Sequence, residues 1–213
     1  MEKIIHMTCK EINNIENIIW RECLSRFNEL YSDYTIKLYG NVDIYTLINK
    51  YYPEHLDNVK KIEVGAVLAD IFRYLILYLE GGIYSDMDVE PLKKLDNLHK
   101  INEFDIVVGY EFFPTQICQW FIYSKPKQKV FLECYLQCIS NIGNLINLDK
   151  KSVEYNDIIM NNCGPQLFTK KIKEDKFSNI KILPEDYFSC GSGGYVPLTT
   201  NSYIKHYFTS SWR

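Results

Sequence analysis

Ala69-Asp70-Ile71-Phe72-Arg73-Tyr74-Leu75-Ile76-Leu77-Tyr78-Leu79-Glu80-Gly81-Gly82-Ile83-Tyr84-Ser85-Asp86-Met87-Asp88 is the stretch whose reading decides the fold. It begins as an apolar helix, stops at a pair of glycines, continues as a short strand and ends on two aspartates one residue apart. In extended backbone, residues two apart project to the same side, so Asp86 and Asp88 are delivered together at a strand end. Two acids this close repel unless a cation joins them. Carboxylates so held suit a hard divalent ion that itself carries phosphates. Asp70 and Arg73 lie three apart on the helix and therefore share one face. Almost everything around them is apolar, so the pair is expected to face a cleft, where an acid accepts from sugar hydroxyls and a guanidinium donates to them. The chemistry this order suggests is metal-assisted departure of a nucleoside diphosphate, that is, glycosyl transfer.

Working outward, Lys3–Met7 reads as a buried strand, 11–30 as a helix, Thr35–Tyr39 as a strand and Val42–Tyr52 as a short helix stopped at Pro53. The long helix is expected over 61–80, followed by the strand Ile83–Ser85. Further strands are predicted at Asp105–Tyr110, Gln119–Tyr123, Ile180–Leu183 and Tyr187–Ser189, with helices at Lys127–Ile139 and Pro165–Lys173. Strands and helices alternate through the first half. This predicts one α/β domain over 1–213, with a central mixed, mainly parallel sheet flanked by helices. Ligands of such sheets lie at the carboxyl ends of the strands, where Thr8 and Asp86 both fall. His6 stands near the end of the first strand. A neutral imidazole from His206, near the C-terminus, could complete a metal shell begun by the aspartates. The Phe112-Phe113 and Trp120-Phe121 clusters are expected in the core rather than on an acceptor platform. Gly191, Gly193 and Gly194 read as a mobile loop.

The totals exclude several classes. A net charge of −3 over 213 residues does not fit a nucleic-acid partner, because binders of the phosphate backbone are basic. The most apolar helix is interrupted by Asp70 and Arg73, so no membrane span is expected. Seven cysteines cannot all pair internally and form no CxxC, which predicts reduced thiols and a cytoplasmic setting. The chain could equally be one domain of a larger protein. A phosphoesterase or nuclease would gather more carboxylates and histidines than are present.

These residues resemble the glycosyltransferase family 32 sugar-binding region that carries the Asp-x-Asp motif. That grouping includes the initiating mannosyltransferase of the fungal Golgi and is related to the glucosyltransferase domain of large clostridial toxins. Lys3-Ile4-Ile5-His6-Met7-Thr8 is similar to its first strand, although Cys9 stands where a Trp is usual. The block from Ala69 to Asp88 matches its central motif almost position for position. Gly164-Pro165 with Thr169, and His206 with Ser210-Ser211-Trp212, are similar to its later elements. The size also resembles chlorella-virus enzymes that build capsid glycans. The resemblance implies a GT-A, Rossmann-like nucleotide-sugar-binding fold and a divalent cofactor, Mn2+ first and Mg2+ as the alternative. By position it implies Asp88 as direct metal ligand, Asp86 on ribose and metal, and His206 as third protein ligand. Asp70 and Arg73 would hold the donor hexose, while Ser210 and Trp212 would close over diphosphate and sugar. His6 and Thr8 join Asp86 among the donor contacts. Catalytic work falls to Asp70, Arg73, Asp88 and Trp212. The implied partners are a nucleotide-sugar donor, UDP-glucose first among UDP-hexoses, and a glycan or glycoprotein acceptor. Retention of configuration is implied. The alternatives are a GDP-mannose-dependent mannosyltransferase and a non-catalytic sugar-nucleotide-binding module.

Overall fold

The computed structural model describes residues 2–13, 15–146, 148–191 and 196–209. Its elements run β1 (Ile4–Thr8), α1 (Ile18–Leu30), β2 (Thr35–Tyr39), α2 (Asn41–Tyr51), α3 (Leu56–Val59), α4 (Gly65–Glu80), β3 (Gly82–Ser85) and β4 (Val89–Pro91). They continue β5 (Ile106–Phe112), β6 (Gln116–Ile117), β7 (Phe121–Ser124), α5 (Lys129–Ser140), α6 (Tyr155–Asn162), α7 (Pro165–Glu174), β8 (Ile180–Leu183), α8 (Glu185–Phe188) and β9 (Ile204–His206).

A seven-stranded sheet runs β2-β1-β3-β7-β5-β6, with β8 also paired to β5. Strands β1, β2, β3, β5 and β8 share one direction, and β6 and β7 oppose them. The expected mixed, mainly parallel sheet is therefore present. Its central strands β3 and β7 and the first four residues of β5 are buried because both faces are covered. Along β5, Ile106 and Val108 join the cluster under α4, α5 and α7, while Val107 joins the opposite cluster with Phe27 of α1 and Phe188. Along β7, Phe121 and Tyr123 face one side and Ile122 the other. The period of two thus splits one apolar strand between two cores. All seven cysteines are free and buried. Among the described residues no helix is long and apolar enough to cross a membrane.

Some elements differ from the sequence reading for local reasons. Helix α1 starts at Ile18 rather than near residue 11, because the Asn17 side chain caps it by accepting from the Trp20 N–H. Helix α4 starts at Gly65 rather than at 61, because 61–64 form a turn and non-helical backbone, with Val64 extended at the N-cap. Residues 187–189 are not a strand: Glu185–Phe188 forms a helical turn after Pro184. The short β4 and β9 and helix α6 lack a readable period and were not expected.

The Gly81-Gly82 junction is the tightest point of the scaffold. Gly81 has φ 67° and caps α4, its N–H donating to the Leu77 carbonyl at 3.0 Å. Gly82 has φ 89°, and a Cβ there would sit 2.7 Å from the Ile4 carbonyl oxygen of β1. Only glycine allows both the turn and the approach of β3 to β1. We expect Gly82→Ala to cost at least about 2 kcal/mol of stability in urea denaturation. A loss under about 0.5 kcal/mol would mean that the junction relaxes freely.

Candidate active site

The sheet delivers Asp86 directly. Strand β3 ends at Ser85, and the Asp86 N–H donates to the Trp120 carbonyl at 2.9 Å, fixing the loop against the residue before β7. Asp86 Oδ1 accepts from Arg73 Nη2 at 3.0 Å and from the Tyr84 hydroxyl at 2.8 Å. Arg73 Nη1 pairs with Asp70 Oδ1 at 2.7 Å. One guanidinium therefore serves two carboxylates, lying 4.6 Å from the centre of the Tyr84 ring. The Asp70 and Arg73 side chains are almost wholly buried, whereas Asp86 keeps 31% exposure. The pair does not face an open cleft as expected; it lies beneath Asp86. Burial pushes the Asp70 carboxyl up to about 7 against the pull of Arg73. A shared cation compensates only in part for removing an acid from water. Asp70 Oδ2 takes a long contact from the Cys163 thiol at 3.5 Å, which ties the Gly164-Pro165 turn to this network.

Asp88 is held by hydrogen bonds from the far end of the chain. Antiparallel pairing of β4 with β9 sets Val89 opposite His206. His206 Nε2 then donates to Asp88 Oδ1 at 3.1 Å, and Tyr207 N–H donates to the Asp88 carbonyl at 3.0 Å. Asp88 Oδ2 accepts from the Thr209 N–H at 2.9 Å and its hydroxyl at 2.8 Å. Burial alone would raise this carboxyl, but the His206 and Thr209 bonds win and hold it at about 2. The His206 ring stacks on Trp120, centroids 4.5 Å apart. Gly191 lies against the His206 backbone so closely that a Cβ would strike the His206 carbonyl. That glycine therefore has a structural duty in seating β9.

The structure brings Asp86, Asp88 and His206 together, with one potential ligand atom from each within 4.8 Å of the others. Two carboxylate oxygens and an imidazole nitrogen form a donor set that fits a divalent ion of the manganese or magnesium kind. The buried Nδ1 of His206 has no hydrogen-bond partner among the described residues. Thr8 stands at the carboxyl edge with its hydroxyl on the Tyr39 carbonyl at 2.9 Å. His6 corrects the sequence reading. Its Nε2–H donates to the Gly81 carbonyl and its Nδ1 accepts from the Tyr39 hydroxyl, both at 3.0 Å. Burial lowers its pKa to about 4, so the ring is neutral and belongs to the fold, with no nitrogen left for a donor. Ser210 and Trp212 lie outside the described residues. Sequence reading missed Thr209, Tyr84 and Trp120, whose signals were only a hydroxyl in the tail and aromatics taken for core.

A mainly parallel sheet with an Asp-x-Asp loop at its carboxyl edge defines the GT-A class of nucleotide-sugar-binding folds. Residues 2–105 match the model of the glycosyltransferase sugar-binding region containing the DXD motif. The initiation-specific alpha-1,6-mannosyltransferase of Schizosaccharomyces pombe is 28% identical over 184 residues, covering 68% of this chain and 46% of that protein. Mannosyl phosphorylinositol ceramide synthase SUR1 of Saccharomyces cerevisiae is 27% identical over 206 residues, covering 94% of this chain and 50% of that protein. The chain thus spans about half the length of these curated relatives. The solved PaToxG glycosyltransferase shares the fold with a TM-score of 0.54 at 19% identity, over 81% of this chain and 69% of that one.

The shared guanidinium gives a direct test. Arg73→Met leaves Asp70 and Asp86 without their cation and should cost about 3–5 kcal/mol at pH 8. An acid whose folded pKa lies above its unfolded value destabilises the fold once pH exceeds the folded value, and stops doing so below the unfolded one. The variant should therefore recover stability relative to the native chain between pH 8 and pH 5, and Asp70→Asn in the same background should flatten that dependence. A loss under about 1 kcal/mol that does not vary with pH would remove Arg73 from this role.

Proposed function

We propose that this chain is a metal-dependent glycosyltransferase that moves a hexose from a nucleoside-diphosphate sugar to a hydroxyl of a glycan or glycoconjugate. The observation that carries this reading is the Asp86–Asp88–His206 cluster, set at the carboxyl edge of a GT-A sheet above the buried Asp70–Arg73 pair. Asp88, Asp86 and His206 would hold a divalent ion, Mn2+ as expected from the sequence. When bound, the ion supplies positive charge to the departing diphosphate. The chain's own residues do the rest. Arg73 and the Tyr84 hydroxyl fix the direction of the Asp86 carboxylate. Arg73 Nε is buried with no hydrogen-bond partner among the described residues, which leaves one donor for a hydroxyl of the donor sugar. Asp70 would accept from that sugar, and Trp120, stacked on the His206 imidazole, fixes the direction of that ring. Two donors come into question. UDP-glucose is the sequence expectation, while the mannosyl-transferring names of the relatives support GDP-mannose. Retention of the anomeric configuration is part of the proposal and is read from the product anomer by proton NMR.

The test of the activity is sugar release and transfer from UDP-glucose and GDP-mannose with and without Mn2+. Metal-dependent turnover of one of them supports the reading. Tight metal-dependent binding of both without turnover would make the chain a sugar-nucleotide-binding module. Asp70→Ala tests the division of labour within the site. It should weaken the intact sugar nucleotide by about 1–3 kcal/mol in calorimetry while leaving the free nucleoside diphosphate nearly unchanged. Equal losses for the two ligands would make Asp70 a structural residue.

A further inference from the structure

The carboxyl end of β5 carries three residues that the site described above does not use. A row of paired residues, Ile83–Tyr123–Val107, crosses β3, β7 and β5. Strands β3 and β5 are both antiparallel to β7 and so run the same way. Three residues beyond this row lie Asp86 on one strand and Tyr110 on the other. Glu111, Phe112 and Phe113 therefore emerge at the same edge of the sheet as the aspartates, two strands away, which is about 10 Å across. Trp120, stacked on His206, precedes β7, the strand between them.

The local geometry at this end is built rather than loose. Tyr110 pairs with Ile117 and Phe112 with Gln116, so the ladder of β5 and β6 shifts register at Glu111. This extra residue is a β-bulge, a device that re-aims a side chain and raises local twist. Glu111 is half-buried and its Oε2 accepts from Gln116 Nε2 at 2.6 Å. Beyond it, Phe112 and Phe113 are 46% and 68% exposed, contrary to the core position expected from sequence. Exposure here is not looseness. The Phe113 N–H donates to Glu185 Oε1 at 2.5 Å, and its ring meets Tyr110 edge-on at 5.1 Å. Lys173 Nζ holds the Pro114 and Thr115 carbonyls at 2.7 and 3.2 Å. Two adjacent aromatic rings held out to solvent are costly unless something covers them.

We propose that Glu111, Phe112 and Phe113 form the acceptor subsite, binding a pyranose unit of the acceptor glycan. This rests on the glycosyltransferase reading above. A pyranose has an apolar C–H face that packs on an aromatic ring and hydroxyls that donate to a carboxylate. Both partners are present here, one residue apart in sequence. The lateral distance of about 10 Å to Asp86 is on the scale of one or two sugar units, so a glycan seated here can direct a terminal hydroxyl toward the donor. The neighbouring carboxylates of Glu111 and Glu185 favour hydroxyl donors over an anionic lipid surface.

The test uses saturation-transfer NMR with the methyl glycosides of mannose, glucose and galactose, and with mannobiose. It is run on the native chain, on Phe112→Ala/Phe113→Ala, and on Glu111→Gln. Calorimetry with UDP and GDP in the presence of Mn2+ runs in parallel. At least one saccharide should bind the native chain, the aromatic variant should bind it at least tenfold more weakly, and Glu111→Gln should weaken it as well. Metal-dependent nucleotide affinity should stay within twofold in all three proteins. A native chain that binds nucleotide with metal but none of the saccharides overturns the subsite, as does unchanged saccharide binding by the aromatic variant. Binding of phosphatidylcholine vesicles that is lost with the two phenylalanines would assign the patch to a membrane and overturn it too. Absence of metal-dependent nucleotide binding in the native chain would instead strike the glycosyltransferase reading itself.

Discussion

Three carboxylates, Asp70, Asp86 and Asp88, are gathered at one edge of the sheet, and the structure depends on how their repulsion is resolved. The local cation is Arg73, which bonds Asp70 with one amino group and Asp86 with the other. Such a bridge is possible only because α4 runs straight into β3 through Gly81 and Gly82, so that the helix face carrying Asp70 and Arg73 lies under the loop that begins at Asp86. Lengthening that junction would part the guanidinium from Asp86. A buried cation with one acid and a half-exposed acid above it forms a charged floor, fixed before any ligand arrives. Preorganised charge of this kind needs little rearrangement at the moment of reaction.

Asp88 is resolved by a different route. Among the described residues, the hydrogen bonds to its side chain come from His206 and Thr209. These reach it because β9 pairs with β4 and places His206 and Thr209 on the two carboxylate oxygens. The second aspartate of the motif is thus held by the segment 206–209, which couples the C-terminal part of the described chain to the Asp86–Asp88 loop. Gly191, packed against His206, and Trp120, stacked on the imidazole, are the supports of that closure. The sheet supplies Asp86, and the tail completes Asp88.

Much of this was legible in the sequence where a strong period met a strong stop. The α4–Gly81–Gly82–β3 unit and the aspartates after it could be read almost residue by residue, because an apolar helix, two glycines and a short apolar strand admit few other structures. His206 was legible as a chemical type and through its likeness, with Ser210-Ser211-Trp212, to the closing element of the family it resembles. Illegible parts had contacts without periodicity. Strands β4 and β9 have three residues each and pair with each other across more than a hundred positions. His6 looked like a ligand at a strand end, and only the tertiary positions of Tyr39 and Gly81 show both ring nitrogens spent. Phe112 and Phe113 looked like core because aromatic pairs usually are, and the bulge at Glu111 that turns the strand end outward leaves no mark in composition.

The central claim is that Asp86, Asp88 and His206 form one metal centre that binds a nucleoside diphosphate. The most direct measurement is electron paramagnetic resonance of Mn2+ titrated with the protein in the presence of UDP or GDP, for the native chain and for Asp88→Asn and His206→Ala. The account calls for one ion bound per chain with nucleotide present, for near-complete loss of that ion in Asp88→Asn, and for at least a tenfold weakening in His206→Ala. Equal Mn2+ binding by all three proteins, or none by the native chain with either nucleotide, would contradict it.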